Sequence, residues 1–385
     1  MGWGLVSGVI FMLTPYHAET VSWIAAIGDL IAGFCILSSL ILFQLYREQG
    51  KPLYIVLSIA LFSVGLFTRE TTIILPILLA LDLLLLSPLK ASEAAVKLRT
   101  KLSTSVGLLG GYVTVTLFYL GIQFLGQSGV MLERGGLAFR PLNIDSILLG
   151  IMDYVHGLFP GGGFLVSLPL EVLRWAVWVE IFIFLLAAIL LWRNRQSLAL
   201  FGLTWMLLTP LLFTFFSAPT DRYFYLPSIG YAVFVSSVLA WMAQLMAERR
   251  LPLPFQTGII KLAVTAIVVG LLLSQTISLY VKEDNWRMAG QASGGVFHDV
   301  HQAVYGPHDY GAFYFIDIPS ALKGVPLFGD GLQQGVQLVY NNRTLAASSV
   351  TCAYLQAQVE LPRYSYLFRF KGNGVQQLGT KEECH

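Results

Sequence analysis

The sequence predicts an α-helical polytopic membrane protein of about nine transmembrane helices, with a small extracytoplasmic α+β appendage at its C-terminus. Three observations predict it. Of 385 residues, 56% are hydrophobic and only 12% charged, with a mean hydropathy of +0.68, where a soluble domain is about 25% charged. The apolar residues fall in successive stretches near the ~20 residues that a hydrocarbon core requires. After Lys282 the pattern changes to short alternating runs separated by turn-formers, which is the signature of strands and loops.

Spans are read at 2–14, 20–46, 53–68, 71–87, 102–126, 173–192, 197–216, 223–247 and 257–281, with Pro52, Pro88, Pro210, Pro219 and Pro252 near their boundaries. Only two residues separate 53–68 from 71–87, so these two are expected to be broken or tilted. Residues 1–13 lack a positive leader and a small-residue cleavage site, so they read as a membrane helix and not a signal peptide. That helix begins abruptly, as though further sequence preceded it. Counting cations by alternate connections gives ten in short loops, from Arg47 and Lys51 through Lys90, Lys97, Arg99, Lys101, Arg193 and Arg195 to Arg249 and Arg250. The other connections carry Arg69, Arg134, Arg140, Arg174, Arg222, Lys282 and Arg287 more sparsely over longer stretches. Positive-inside bias makes the first set cytoplasmic, which puts the N-terminus inside and the C-terminal domain outside. The outer segment 127–172 holds an amphipathic stretch, 144–159, expected to lie in the interface plane over a cleft.

The membrane domain is therefore 1–282 and the extracytoplasmic domain 283–385. Within the latter, 283–305 reads as an amphipathic helix anchored by Trp286, followed by strand-like runs at 312–318, 335–340 and 364–370. Cys35 reads as a small core hydrophobe, while Cys352 and Cys384 could pair in an extracytoplasmic setting. No fixed-period repeat is evident.

A net charge of +2 with no Lys/Arg-rich run excludes a nucleic-acid partner as the expected one. The partner expected first is the lipid bilayer. Three charged clusters interrupt the apolar chain: Tyr16-His17-Ala18-Glu19, Thr68-Arg69-Glu70 and Asp221-Arg222-Tyr223. The topology sends all three to the outer face, and ionisable groups at a bilayer are a functional-site hypothesis by default. His17 and Glu19 either orient a sugar or phosphate or simply reach water at a helix boundary. Arg69 and Arg222 offer donor forks matched to phosphate oxygens. Against that stand a mutual Arg69–Glu70 ion pair and an ordinary aromatic belt with one snorkelled Arg222. Tyr223 and Tyr225 suit headgroup depth. Asp29, inside the membrane, faces a wet cavity or a polar partner, as does Glu180; Asp82 reads as a buried hydrogen-bonding or register residue and not part of the site. His298, Asp299, His301, His308 and Asp309 match no strong metal signature, so no metal ligand is assigned and a divalent metal stays an unsupported option. Asn342-Arg343-Thr344 is a formal glycosylation sequon. No phosphate-binding loop, dinucleotide fingerprint, nucleophile elbow or zinc-protease motif is present.

These clusters carry a resemblance. Residues 13–24 with Gly28-Asp29-Leu30, residues 68–76 through Asp82, and residues 221–230 resemble, in order, three motifs of GT-C superfamily glycosyltransferases. The nearest type is the protein O-mannosyltransferase-like group that often carries tetratricopeptide repeats. The resemblance covers roughly residues 1–290. It implies transfer of a mannose-like sugar from a polyprenyl-phosphate carrier to a protein or glycan acceptor on the extracytoplasmic face. Arg69, Arg222, Tyr223, His17 and Asp29 would then hold the donor, with Glu19, Glu70 and Asp221 as orienting or substitute acids. The chain departs from the pattern in three ways. The first two spans and an acidic external loop of the family have no counterpart, so the chain reads as truncated or inactive. Position 27 is Ile where relatives carry a basic residue, and the appendage has no helical repeats. Two other classes compete: a flippase or transporter of lipid-linked substrates using Asp29 and Glu180, and a non-catalytic membrane scaffold.

Overall fold

A computed structural model describes residues 2–86, 94–127, 170–214, 221–247, 254–358, 361–380 and 383. Two compact units divide between Leu279 and Tyr280. The first holds α1 (Gly2–Met12), α2 (His17–Ser22), α3 (Ile27–Gln49), α4 (Pro52–Thr68), α5 (Leu75–Leu85), α6 (Ala94–Gln127), α7 (Leu170–Arg193), α8 (Ser197–Thr214) and α9 (Tyr225–Ala247). Helix α10 (Pro254–Ala303) starts in this unit and continues into the second.

Among the described residues, four helices are long and apolar enough to cross a membrane: Ile27–Gln49, Gly107–Gly126, Asp221–Leu245 and Thr265–Ala303. Gly2–Met12, Pro52–Thr68, Ile181–Arg193 and Ser197–Pro210 are shorter apolar helices. The described residues therefore give a multi-helical membrane unit without reproducing nine full-length spans. Local chemistry accounts for the shortfall. The stretch read as 20–46 opens with α2 and a 3-10 turn (Ile24–Ala26) before α3 starts. The stretch read as 71–87 spends its first turn on a 3-10 segment, Glu70–Ile74, because Pro76 lacks the N–H that an uninterrupted helix would use. The connections carrying Lys90, Arg134, Arg140, Arg249 and Arg250, and the amphipathic stretch 144–159, lie outside the described residues.

Helices α3 and α4 form an antiparallel hairpin. Gly50 closes α3 in the left-handed conformation at φ 69°, and Pro52 starts α4, the expected stop and start residues. Ser39 and Ser58 donate to each other's carbonyls at 2.9 and 2.7 Å, and Ser58 also bonds the Tyr112 hydroxyl at 2.6 Å. Around this polar clasp lie Ile36, Phe43, Phe62, Leu66, Ile74 and Leu78, all fully buried. Asp82 bonds Gln44 and pairs with Arg47. Asp29 and Arg47 stand eighteen residues apart on α3, or about 27 Å by helical rise. That is close to the ~30 Å of a hydrocarbon core, so the polar positions of α3 bracket an apolar slab.

Helices α8 and α9 cross at two glycines. A Cβ on Gly230 would stand 2.6 Å from the Met206 amide nitrogen, and one on Gly202 2.5 Å from that of Phe234. Small residues of this kind let membrane helices touch backbone to backbone. Gly230→Ala is expected to lower stability by about 2 kcal/mol, read as a lower unfolding midpoint in detergent. An unchanged midpoint would mean the crossing has slack.

The second unit builds a four-stranded sheet in the order β4-β1-β5-β6, from β1 (Ala312–Ile316), β4 (Ala346–Val350), β5 (Ser365–Lys371) and β6 (Gly374–Leu378). Strand β1 is parallel to both neighbours, and β6 runs antiparallel to β5. A two-stranded ribbon, β2 (Ala321–Leu322) with β3 (Val325–Pro326), and helices α11 (Leu332–Val339) and α12 (Cys352–Ala357) complete it. Val296 and Val300 of α10 and Val336 of α11 pack on Phe313, Phe315 and Phe368. Leu355 of α12 packs on Ile316 and Leu367. Strand β1 is thus covered on both faces, which suits a parallel centre.

The run 335–340, expected as a strand, is helical. Val336 and Val339 suggest strand propensity, but Leu332 and Val336 are one helical turn apart and both buried, and that i, i+4 spacing decides the element. Strand β4 carries no strand signal in the sequence, since Ala346-Ala347-Ser348-Ser349 has no alternation of apolar and polar residues. The helix expected from residue 283 is the latter part of α10. Cys352 is disulfide-bonded and Cys35 is a buried free thiol; Cys384 lies outside the described residues.

Candidate functional site

Three turns place the charged clusters together. The first is the break between α1 and α3. Thr14 donates to the Ile10 carbonyl at 2.9 Å, α1 ends, and α2 begins at His17 with Tyr16 as its cap. His17, Glu19 and Thr20 are all buried. The second is Arg69, extended at φ −153°, which ends α4 and starts the 3-10 turn Glu70–Ile74. The third is the 3-10 turn Asp221–Phe224 ahead of α9.

Contacts run between the turns. The Arg222 backbone N–H donates to Glu19 Oε2 at 3.3 Å, and Tyr16 stacks on Phe224 with centroids 4.7 Å apart. Arg69 Nε donates to Asp29 Oδ1 at 2.9 Å, in an ion pair whose side chains are 22% and 5% exposed. The competing Arg69–Glu70 pair read from the sequence is not what Arg69 makes; its partner is Asp29, forty residues earlier. Helix α9 reaches α3 across Gly33, where a Cβ would stand 2.6 Å from the Tyr225 ring.

Arg222 is the centre of the arrangement. Its guanidinium carbon lies 4.9 Å from the Trp23 ring centroid and 5.0 Å from that of Tyr223, and its Nη2 donates to the Tyr223 hydroxyl at 3.3 Å. Its Nε is buried with no hydrogen-bond partner among the described residues, and so is Asp29 Oδ2. Arg222 and Glu70 both lie within electrostatic reach of Asp29. One donor and one acceptor are thus left unmatched in the same neighbourhood, each costing about 1–3 kcal/mol while unpaired.

His17 has a separate job. Ser228 donates its only hydroxyl proton to the Tyr225 carbonyl at 2.6 Å, so its oxygen accepts from His17 Nε2–H at 3.1 Å. That fixes the Nε2-protonated tautomer of a neutral ring, set against Phe11 at 4.4 Å and edge-on to Tyr225 at 5.1 Å. Burial pushes the imidazole down to about 4. Burial pushes the Glu19 carboxyl up, reinforced by Asp221 and opposed by Arg222 and its backbone N–H. Since the folded His17 pKa lies below the unfolded value of ~6.5, its contribution to stability is full above pH 6.5 and lost as pH falls toward 4. The predicted loss approaches ~3 kcal/mol. Comparing unfolding midpoints of the wild type and His17→Gln between pH 7 and pH 4 isolates it; parallel curves would refute it.

Glu70 is exposed at the head of its turn, and Asp221 is partly exposed at the head of its own. Three contributors escaped the sequence argument as separate roles: Trp23, Ser228 and Phe11. Trp23 and Ser228 sit inside the quoted motifs, where a Trp four residues after Glu19 and a Ser directly after Pro227 are the available signals. The Glu180 side chain lies outside the described residues.

The histidine-rich stretch of the second unit has structural partners. His298 bonds Gln302, His308 stacks on Tyr364 at 4.0 Å, and Asp299 accepts from the Val375 N–H at 2.9 Å. Among the described residues no group of three or more His, Cys, Asp or Glu is arranged to hold a metal ion. The sequon Asn342 is tied to Asp309 at 2.9 Å and to Thr344 at 2.7 Å.

No protein-family model, curated protein or solved structure matches the chain.

Proposed function

We propose that the cluster of Asp29, Arg69 and Arg222 binds a polyprenyl-phosphate-linked sugar and that the chain transfers that sugar to an acceptor hydroxyl. The observation that carries this reading is the unmatched pair, Arg222 Nε–H and Asp29 Oδ2. A sugar phosphate presents both complements, phosphate oxygens for the donor and sugar hydroxyls for the acceptor. Arg69 and Arg222 supply the positive charge that a departing phosphate requires. An apolar groove of ≈340 Å³ between α1, α9 and α10, lined by residues such as Leu5, Val9, Ile10, Leu239 and Leu271, suits a hydrocarbon tail. The resemblance of the three turns to glycosyltransferase motifs points the same way. In this reading the chain crosses the bilayer nine times, N-terminus inside, with the three turns on the outer face.

In the transfer, the acceptor oxygen bonds to the anomeric carbon as the bond from that carbon to the phosphate oxygen breaks. The electron pair leaves on the phosphate beside Arg69 and Arg222. The acceptor proton passes to a carboxylate, and Glu70 is the exposed one at the site. The test uses the whole chain in lipid nanodiscs with polyprenyl-phosphate mannose: saturable binding, displaced by unglycosylated polyprenyl phosphate, is expected. Absence of saturable binding would overturn the proposal. Glu70→Gln is expected to lower turnover about 100-fold with donor affinity unchanged, and equal turnover would remove Glu70 from the proton's path.

A further inference from the structure

We infer that the turn joining α7 to α8 binds the phosphate headgroups of anionic phospholipids through Arg193 and Arg195, with Trp192 as the anchor in the bilayer surface. This goes beyond the transfer reading and does not rest on it, since Arg69 and Arg222 take no part.

The turn closes without the help of either arginine side chain. The Arg195 N–H donates to the Trp192 carbonyl at 3.1 Å and the Gln196 N–H to the Leu191 carbonyl at 2.9 Å, the paired bonds of a Schellman ending. The Leu190 carbonyl accepts from the Asn194 N–H at 3.0 Å and from Asn194 Nδ2 at 2.7 Å. Gln196 Nε2 donates to the Asn194 carbonyl at 3.3 Å. Backbone and amide groups thus serve the end of the helix, and neither guanidinium acts as a cap.

The residue in the left-handed position is the unexpected one. Arg195 sits at φ 55°, where a Cβ is penalised and glycine is the usual occupant. The close of α3 shows the ordinary solution, with Gly50 at φ 69°. Strain of this kind, at a turn that gains no bond from the side chain, points to a use for the charge elsewhere.

That use is not inside the described protein. Arg193 and Arg195 are both exposed, and among the described residues neither forms an ion pair or a side-chain hydrogen bond. Between Glu180 and Asp221 the chain contains no acidic residue at all. Beside the two charges stand Trp192, 71% exposed, and Leu198, 52% exposed, at the end of the apolar helix Ile181–Arg193. An indole next to cations at such an end suits the headgroup layer of a bilayer. The eighteen residues of α8 carry the chain about 27 Å from this turn toward the one at Asp221, so the surface is remote from the Arg222 cluster.

Charge and the exposed indole together select the ligand. Each guanidinium is a fork of donors matched to phosphate oxygens. With no carboxylate to balance them, the pair favours a headgroup of net negative charge over a zwitterionic one, whose ammonium it repels. The apolar flank favours a phosphate that arrives with acyl chains over a free ion.

The test uses the whole chain in detergent, titrated with phosphatidylglycerol, phosphatidylcholine or inorganic phosphate, with bound lipid read by native mass spectrometry. Arg193→Gln and Arg195→Gly are each expected to weaken phosphatidylglycerol binding about fivefold, and the double variant about 25-fold, with phosphatidylcholine binding unchanged. Arg195→Gly is also expected to raise the unfolding midpoint in lipid-free detergent, because it relieves the left-handed strain. One substitution would then move stability and lipid affinity in opposite directions. Equal phosphatidylglycerol affinity in the wild type and the double variant, no preference over phosphatidylcholine, or displacement of the lipid by inorganic phosphate would each overturn the inference. A lower midpoint in Arg195→Gly would make the arginine a support of its own turn and overturn it as well.

Discussion

Arg222→Ala is expected to weaken binding of polyprenyl-phosphate mannose about 100-fold, the equivalent of about 3 kcal/mol. The argument rests on what alanine removes and what it leaves. It removes the guanidinium with its buried, unmatched Nε–H, and the contacts with the Trp23 and Tyr223 rings. It leaves the backbone N–H that ties this turn to Glu19, so the turn itself should persist. Arg222→Lys separates charge from shape. Lysine keeps a cation but has no planar fork to lie on Trp23 and no Nε–H in that position, so an intermediate loss of about tenfold is expected. Trp23→Leu should weaken binding several-fold through the lost ring face alone. Donor affinity equal to wild type in Arg222→Ala would reduce Arg222 to an interfacial belt residue.

How far the sequence discloses this site depends on the kind of signal. That three short polar clusters interrupt the chain is legible, because charge is rare enough in an apolar sequence for each position to stand out. Which groups pair is not. Arg69 has Glu70 as its chain neighbour, yet it bonds Asp29, because the α3–α4 hairpin returns the chain to that point. Nor is the His17–Ser228 bond legible, since 211 residues separate its partners. The appendage shows the same division. Strand β1 announces itself through Phe313, Phe315 and Ile316, whereas α11 carries Gly335, Val336 and Val339 within its eight residues, types that do not favour a helix. Helix α2 is hidden for a related reason: six residues are too few to display a period.

The ion pair itself supports the second large effect. Removing one partner of a buried pair strands the other, at about 3–5 kcal/mol, whereas replacing both with apolar groups is often neutral. The two partners are not equally placed: the Asp29 side chain is 5% exposed and the Arg69 side chain 22%. Water can reach a stranded Arg69 better than a stranded Asp29. Arg69→Met is therefore expected to destabilise by about 3 kcal/mol or more and Asp29→Leu by less, with the double variant closer to wild type than Arg69→Met alone. Unfolding of the four proteins in mixed detergent measures this, and additive losses would show that the pair is not coupled. Asp29→Asn then separates fold from ligand. The amide can keep its carbonyl oxygen toward Arg69 Nε, preserving the bond geometry. It then turns a donor toward the space where Oδ2 offered an acceptor, so a ligand hydroxyl loses its partner. A folded Asp29→Asn protein that no longer holds the donor would tie the unmatched carboxylate oxygen to the sugar, and one that holds it as tightly as wild type would confine Asp29 to bracing Arg69.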